Sequence, residues 1–448
     1  MDQTIFKAYD IRGIYPTQIN EDLVYKIGQA YAAIIKPNGK VAVGMDVRLS
    51  SPELKKALIE GLTDAGINVL DVGLISTEMI YFATGFYKLA GGIQITASHN
   101  PAEYNGMKMV REEAIPISSD TGIFAIRDWV ASNQEKISVT EKGQVETKDI
   151  LADFVKFALG FIEIDKLKST KLVYNPNFGY EGVVLKKAVE LGNLPLDLVG
   201  LNENPDGNFP KGRPDPFVPE NRPEFVELVK SSGADLGVAW DADADRVFFC
   251  TKNGQFVEPY YLNALLIKGV LKKNPGATII YDPRYTWALI DAANENGGKA
   301  DICRVGHSFI KEKMREVDAV FSGESSGHTY FKDFYYADSG LIPLLIVLEM
   351  ISTEGNLDEL LQPYFAKYFI SGEINTKTDK AQEIMKELEE KYSDGQISKI
   401  DGLSIEYSDW RASIRTSNTE PLLRLNVEAK SEAKMEEMRD EVLNLVNQ

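Results

Sequence analysis

The chain has 448 residues, 44% hydrophobic and 26% charged, with a formal net charge of -18. At about 150 residues per domain, this length predicts three or four separate cores. The acidic surplus argues against a general nucleic-acid binder or a partner for anionic membranes, since counterion-release binding requires excess Lys and Arg; an anionic ligand has to meet a local basic cluster.

The opening stretch "MDQTIFKAYDIRG" carries charges where a secretion signal needs an apolar run. Arg12, just before Gly13, reads alone as a surface arginine. From Lys40 to Gly73 the chain shows a β-branched strand, a Gly/Pro/Asp turn, an amphipathic helix and a second short strand ending in Val-Gly. The same grammar returns at 171–200 and at 277–306, so one strand-helix-strand unit has been repeated. Each copy is followed by a polar loop: "TASHNP" with Ser98, "WDADADR", and "SGESSGH". Three similar domains, each offering one loop to a shared site, follow from that layout.

"GVAWDADADR" sets Asp241, Asp243 and Asp245 at alternate positions after an apolar strand. In an extended segment these side chains share a face, an arrangement that requires a cation. Hard oxygen donors suit Mg2+ or Ca2+. An EF-hand would need Gly and Glu where Arg246 and Lys252 stand, so that motif fails, and Arg246 is better placed to grip a phosphate. The third repeat carries Arg284 on its inner turn and His307 on the turn after it. "GESSG" formally matches a nucleophile elbow, but the only histidines are His99, His307 and His328, and none follows in the order that fold requires. What remains is a loop of carboxylate, hydroxyls and imidazole, suited to sugar hydroxyls. The longest apolar run, "LIPLLIVLEM", is about half a membrane span. Cys250 and Cys303 have neither metal-ligand nor redox-motif spacing, which favours a reducing, cytoplasmic setting.

From about residue 364 the chain turns charged and helical around short strands at "GLSIEY", "WRASIRT" and "LLRLNVEA", predicting a small α+β domain. Its loop "RTSNTEP" offers Arg415, Ser417, Asn418 and Thr419, a suitable cradle for a phosphate dianion.

In this order and spacing, "TASHNP", "DADADR", "GESSGH" and "RTSNTEP" resemble the α-D-phosphohexomutase family, closest to its phosphomannomutase/phosphoglucomutase branch. The resemblance spans nearly the whole chain. It implies an α/β protein of three related α/β domains with mixed, mainly parallel sheets, plus a smaller C-terminal α+β domain, around a central cleft. The divisions fall at 1–145, 146–250, 251–363 and 364–448.

By the same resemblance, Ser98 is a phosphoserine, and Mg2+ is held by its phosphate and by Asp241, Asp243 and Asp245. Arg246 and Lys108 flank the transferring group. Glu324, Ser326 and His328 read sugar hydroxyls, while Arg415, Ser417, Asn418 and Thr419 hold the phosphate that is not reacting. Arg12, Arg284 and His307 line the cleft. The implied reaction interconverts hexose 6-phosphate and hexose 1-phosphate, of mannose or glucose, through a hexose 1,6-bisphosphate. The general base is expected to be Lys108, with a pKa depressed beside Arg246 and the metal, and failing that His307. His99 shapes the loop. No nucleic-acid or membrane partner is expected, and the state is monomer or homodimer.

Some positions depart from the family pattern. Ala242 and Ala244 stand where many relatives have glycine, and Ser325 where methionine is frequent. Asn418 disfavours a glucosamine-phosphate mutase, and a metal-dependent sugar phosphatase remains the rival from another class.

Overall fold

The computed structural model describes residues 2–132, 135–137, 139–416 and 422–446. It divides into two compact units, the first made of 1–257 and 326–357, the second of 258–325 and 358–448.

All three repeats fold as strand-helix-strand units, although only the second copy's last strand ends at its Val-Gly; the first runs on to Leu74 and the third stops at Ile302. Strand Val41–Met45, helix Ser51–Asp64 and strand Val69–Leu74 form the first. Strand Thr170–Asn175, helix Glu181–Gly192 and strand Leu196–Gly200 form the second. In the second unit, strand Thr278–Tyr281, helix Trp287–Glu295 and strand Lys299–Ile302 form the third. In each, the two strands pair in parallel. The first strand also pairs in parallel, on its other edge, with a later strand: Gly91–Ile95, Leu236–Trp240 and Phe321–Gly323, respectively. The three polar loops leave the carboxyl ends of these later strands, the end of an open α/β sheet where ligands ordinarily bind.

The sheets are mixed, as expected. Strands Ile11–Ile14 and Tyr104–Arg111 add two antiparallel pairings to the first sheet. Val247–Thr251 and Phe256–Val257 do the same in the second, leaving it evenly mixed. For the pairs that flank the functional loops the cause is local: "TASHNP" and "DADADR" are themselves the short connections that send the chain straight back, and a tight turn can only join antiparallel neighbours.

Helix Glu21–Ile35 starts at Asn20, whose side chain accepts from Leu23 N–H at 3.0 Å, and Glu21 and Asp22 suit its positive end. It packs backbone-close on helix Ser51–Asp64. A Cβ on Gly61 would stand 2.3 Å from Tyr25 O, so only glycine fits. The apolar run forms helix Leu341–Glu354, buried along nearly its whole length inside the first unit. A helix apolar all round has to be buried. Among the described residues no helix is long and apolar enough to cross a membrane.

The C-terminal segment forms a sheet with every pairing antiparallel. Leu403–Glu406, Trp410–Thr416 and Leu422–Ala429 are the three expected strands. Helices Ala381–Lys391 and Glu432–Val446 cover it, burying Ile384, Leu388, Met438 and Val442 against Ile405, Ile414 and Val427.

Candidate active site

In the first unit, Ser98 sits just past strand Gly91–Ile95 with φ 51°, a left-handed conformation disfavoured for a residue with a Cβ. Its N–H donates to Thr96 Oγ1 at 2.9 Å, and Ser98 Oγ donates to Asp241 Oδ2 at 3.1 Å. The His99 ring lies 3.0 Å away through Nδ1. Burial, and after it the guanidiniums of Arg246, Arg12 and Arg213, hold that imidazole well below its usual pKa, so it is neutral.

One ligand oxygen from each of Asp241, Asp243 and Asp245 lies within 4.8 Å of the other two, and all three residues are buried. They converge differently from the expectation. Strand Leu236–Trp240 stops before Asp241, and Ala244 turns the chain with φ 60°. A tight turn, not extended alternation, gathers the carboxylates, and glycine is the residue that fits such a φ without strain. Asp243 is held from outside its own sheet: Thr77 Oγ1 donates to Asp243 Oδ2 at 2.7 Å and Thr96 Oγ1 at 3.2 Å. Burial, then repulsion from Asp245 and Asp243, raises the Asp241 carboxyl well above its ordinary range. Asp245 moves the other way. Burial opposes its charge, but Lys108 and then His328 outweigh it.

Lys108, on strand Tyr104–Arg111, donates to Asp243 Oδ2 at 2.7 Å and pairs with Asp245. Burial would lower the ammonium pKa, but Asp243 and Asp245 together raise it. The expected depression is therefore overturned, because the carboxylates rather than Arg246 are its nearest charges. Arg246 donates its N–H to Asp241 Oδ1 at 3.3 Å, with its Nε 3.9 Å from Asp241 Oδ2. Arg12 is more than a surface residue: it pairs with Asp10 at 2.7 Å and donates to Asn100 Oδ1, in the Ser98 loop, at 2.9 Å. His328 Nδ1 lies 3.1 Å from Ser326 Oγ, and its Nε2 3.4 Å from Asp245 Oδ1. The first unit thus gathers Ser98, Lys108, the three aspartates, Arg246, Arg12, Ser326 and His328.

Arg284, Glu324, Arg415 and His307 belong to the second unit. Arg284 donates to both oxygens of Asp282, at 2.9 and 2.7 Å, and to Glu324 Oε2 at 3.3 Å. Arg415 donates to Glu373 Oε2 at 3.0 Å and lies 3.7 Å from Asp401. Burial, and next the like charge of Arg284, lower the Arg415 pKa. Two buried guanidiniums that repel one another would gain from an added anion. His307 opens helix His307–Val317. Ser417, Asn418 and Thr419 lie outside the described residues.

Sequence reading missed Thr77, Thr96, Asp282, Glu373 and Asp401, single polar residues whose place shows only through their partners.

Four family models match in succession: phosphoglucomutase/phosphomannomutase alpha/beta/alpha domain I over 3–136, domain II over 152–254, domain III over 258–368, and the C-terminal domain over 373–445. The chain belongs to the phosphoglucomutase/phosphomannomutase family. It is 45% identical over 445 residues to a protein named phosphohexose mutases from Xanthomonas campestris pv. campestris, covering 98% of each chain. It is 43% identical over 455 residues to an Escherichia coli phosphomannomutase, covering 99% of each. A solved family protein from Burkholderia thailandensis superimposes with a TM-score of 0.90 at 34% identity, covering 100% of this chain and 97% of the other. The protein is a phosphohexomutase, an isomerase that moves a phosphoryl group within its substrate.

Proposed function

We propose that this phosphohexomutase reversibly interconverts hexose 6-phosphate and hexose 1-phosphate, of mannose, glucose or both, by way of phospho-Ser98 and a hexose 1,6-bisphosphate. The observation that carries the reading is Ser98 Oγ lying 3.1 Å from Asp241 Oδ2, at the edge of three buried carboxylates. The donor set fits Mg2+. Its ligands are hard oxygens, Asp243 Oδ1 and Asp245 Oδ1 accept no hydrogen bond, and the raised Asp241 carboxyl shows crowding that a cation relieves. Bound at Ser98, Asp241, Asp243 and Asp245, Mg2+ would supply charge neutralisation for phosphoryl transfer.

In the forward half-reaction, phospho-Ser98 gives its phosphoryl group to the free hydroxyl of the bound monophosphate. After the bisphosphate turns end for end, Ser98 accepts the other phosphoryl group. Phosphoryl transfer depends chiefly on positioning and charge, which Arg246, Arg12 and Lys108 supply. Lys108, paired with Asp243 and Asp245, neutralises charge, and removal of the hydroxyl proton is assigned to His307. Neutral His99 keeps the Ser98 loop in shape. Glu324, Ser326 and His328 read sugar hydroxyls, and Arg415 with Arg284, Ser417, Asn418 and Thr419 holds the distal phosphate. The enzyme works in the cytoplasm as a monomer or homodimer, with domain divisions near residues 145, 250 and 363.

Intact-mass measurement joined to a mutase assay tests this. A phosphoryl adduct that maps to Ser98, with isomer formed from glucose 1-phosphate or mannose 1-phosphate and little inorganic phosphate released, is expected. Steady phosphate release without isomer, or full turnover by Ser98→Ala, sinks it.

A further inference from the structure

The three repeats share one further device. At or just after the end of each central strand stands an Asp or Asn whose side-chain oxygen accepts the N–H two residues on: Asp46 from Arg48 at 3.0 Å, Asn175 from Asn177 at 3.0 Å, and Asp282 from Arg284 at 2.9 Å. Such a turn fixes the direction of the second side chain. In each repeat that side chain donates to the functional loop that leaves the neighbouring parallel strand, or to the strand residue immediately before that loop.

In the first repeat the whole Arg48 fork is engaged. Nη2 donates to Ser98 O at 2.8 Å and Asn100 O at 2.6 Å; Nη1 donates to Pro101 O at 2.6 Å and Tyr104 O at 3.0 Å; Nε donates to Asp46 at 3.2 Å. Only 1% of Arg48 is exposed, so it has no free face for a substrate. In the second, Asn177 Nδ2 donates to Trp240 O at 2.6 Å, immediately before Asp241. In the third, Arg284 reaches Glu324. A guanidinium buried against four carbonyls of one short loop does more than fill space, because that loop holds Ser98 at an unfavourable φ and needs an external tie.

We infer that Arg48 and Asn177 are positioning residues for phosphoryl transfer: Arg48 fixes the loop that presents Ser98, and Asn177 fixes the loop that presents the metal-binding carboxylates. The inference rests on the roles proposed above for Ser98 and the aspartates, but two of its readouts do not depend on them.

The test uses the full-length protein, dephosphorylated for exchange and Mn2+ binding and primed with a hexose 1,6-bisphosphate for activity, with Arg48→Lys, Asn177→Ala and Asn177→Asp, the last keeping the shape but losing the donor. Lysine cannot reproduce the planar fork, so amide hydrogen exchange over residues 96–106 of Arg48→Lys should rise about tenfold while strand 41–45 stays protected. Its kcat should fall by about tenfold or more with KM within about threefold, as expected for a misplaced nucleophile. Its Mn2+ affinity should match that of the unaltered chain. Both Asn177 variants should weaken Mn2+ binding by about tenfold, the usual loss when a ligand's support is removed, and leave exchange at 96–106 unchanged. Exchange and Mn2+ affinity both unaltered below the melting temperature, with activity falling only in step with thermal stability, would overturn the inference. Retention of exchange, Mn2+ affinity and activity by every variant would do so as well. If exchange and Mn2+ binding respond as stated but no variant or parent shows mutase activity, the positioning role stands and the reaction assignment fails.

Discussion

The first unit crowds like charges; the second pairs opposite ones. Around Ser98, three aspartates lie within reach of one another, and the Asp241 carboxyl is pushed up by burial and its neighbours. In the second unit, Asp282 is as deeply buried, yet its bidentate partner Arg284 overcomes that burial and lowers its carboxyl. Equal burial with opposite outcomes shows that the partner, more than the depth, sets the charge state. The first cluster could hold a metal ion. Near Arg284, the Arg415 guanidinium is disfavoured by burial and by that like charge, a state an anion would relieve.

The largest effect that would break this comparison is at the nucleophile. Ser98→Ala should reduce turnover by roughly 10⁴-fold or more, read in a coupled isomerisation assay, while Arg415→Lys keeps measurable turnover. Next, Asp243→Asn should weaken Mg2+ binding by about 100-fold in calorimetry, and the rise in melting temperature that Mg2+ gives the parent should shrink with it. A variant stabilised by Mg2+ as much as the parent would contradict the charge-crowding account. In the second unit, Arg415→Lys loses a planar fork but keeps its charge. KM for the hexose phosphate should rise about tenfold with kcat changed far less.

A smaller effect concerns pH. Glu78 and Glu181 are buried side by side in the first unit, where Glu78 accepts from Gly340 N–H at 3.0 Å and caps helix Leu341–Glu354. Burial raises the Glu78 carboxyl from 4.5 to about 7, and burial with the Glu78 charge raises Glu181 well above its ordinary range. A raised carboxyl pKa means that the folded chain binds a proton the unfolded chain has released. The stabilising contribution is full below pH 4.5 and is lost as pH rises through about 7. Thermal unfolding should therefore show stability falling across that window, with a flatter profile for Glu181→Gln. Smallest of all, Lys211→Ala removes an exposed pair with Glu224 and should change unfolding free energy by less than about 0.5 kcal/mol in urea titration.

Much of this protein is legible in its order of residues. The three repeats and the loops that follow them come from local pattern, because a strand, its turn and its helix are neighbours in sequence, whereas the roles of Ser98, Asp241, Asp243 and Asp245 are what the family resemblance of four motifs in order implies. The C-terminal helices and main strands are legible for the same reason. Tertiary structure alone decided what these residues touch. Lys108 meets Asp243 and Asp245 more than 130 positions away, which reverses the expected sign of its pKa shift. Thr77 reaches Asp243 across 166 positions and Glu78 reaches Gly340 across 262. Arg48, which looks like any arginine in a turn, donates to the carbonyls of Ser98, Asn100, Pro101 and Tyr104 some 50 positions on. Sequence records which side chains are available; charge state and orientation come from partners that only folding brings within a few ångströms, where Coulomb and hydrogen-bond energies become large.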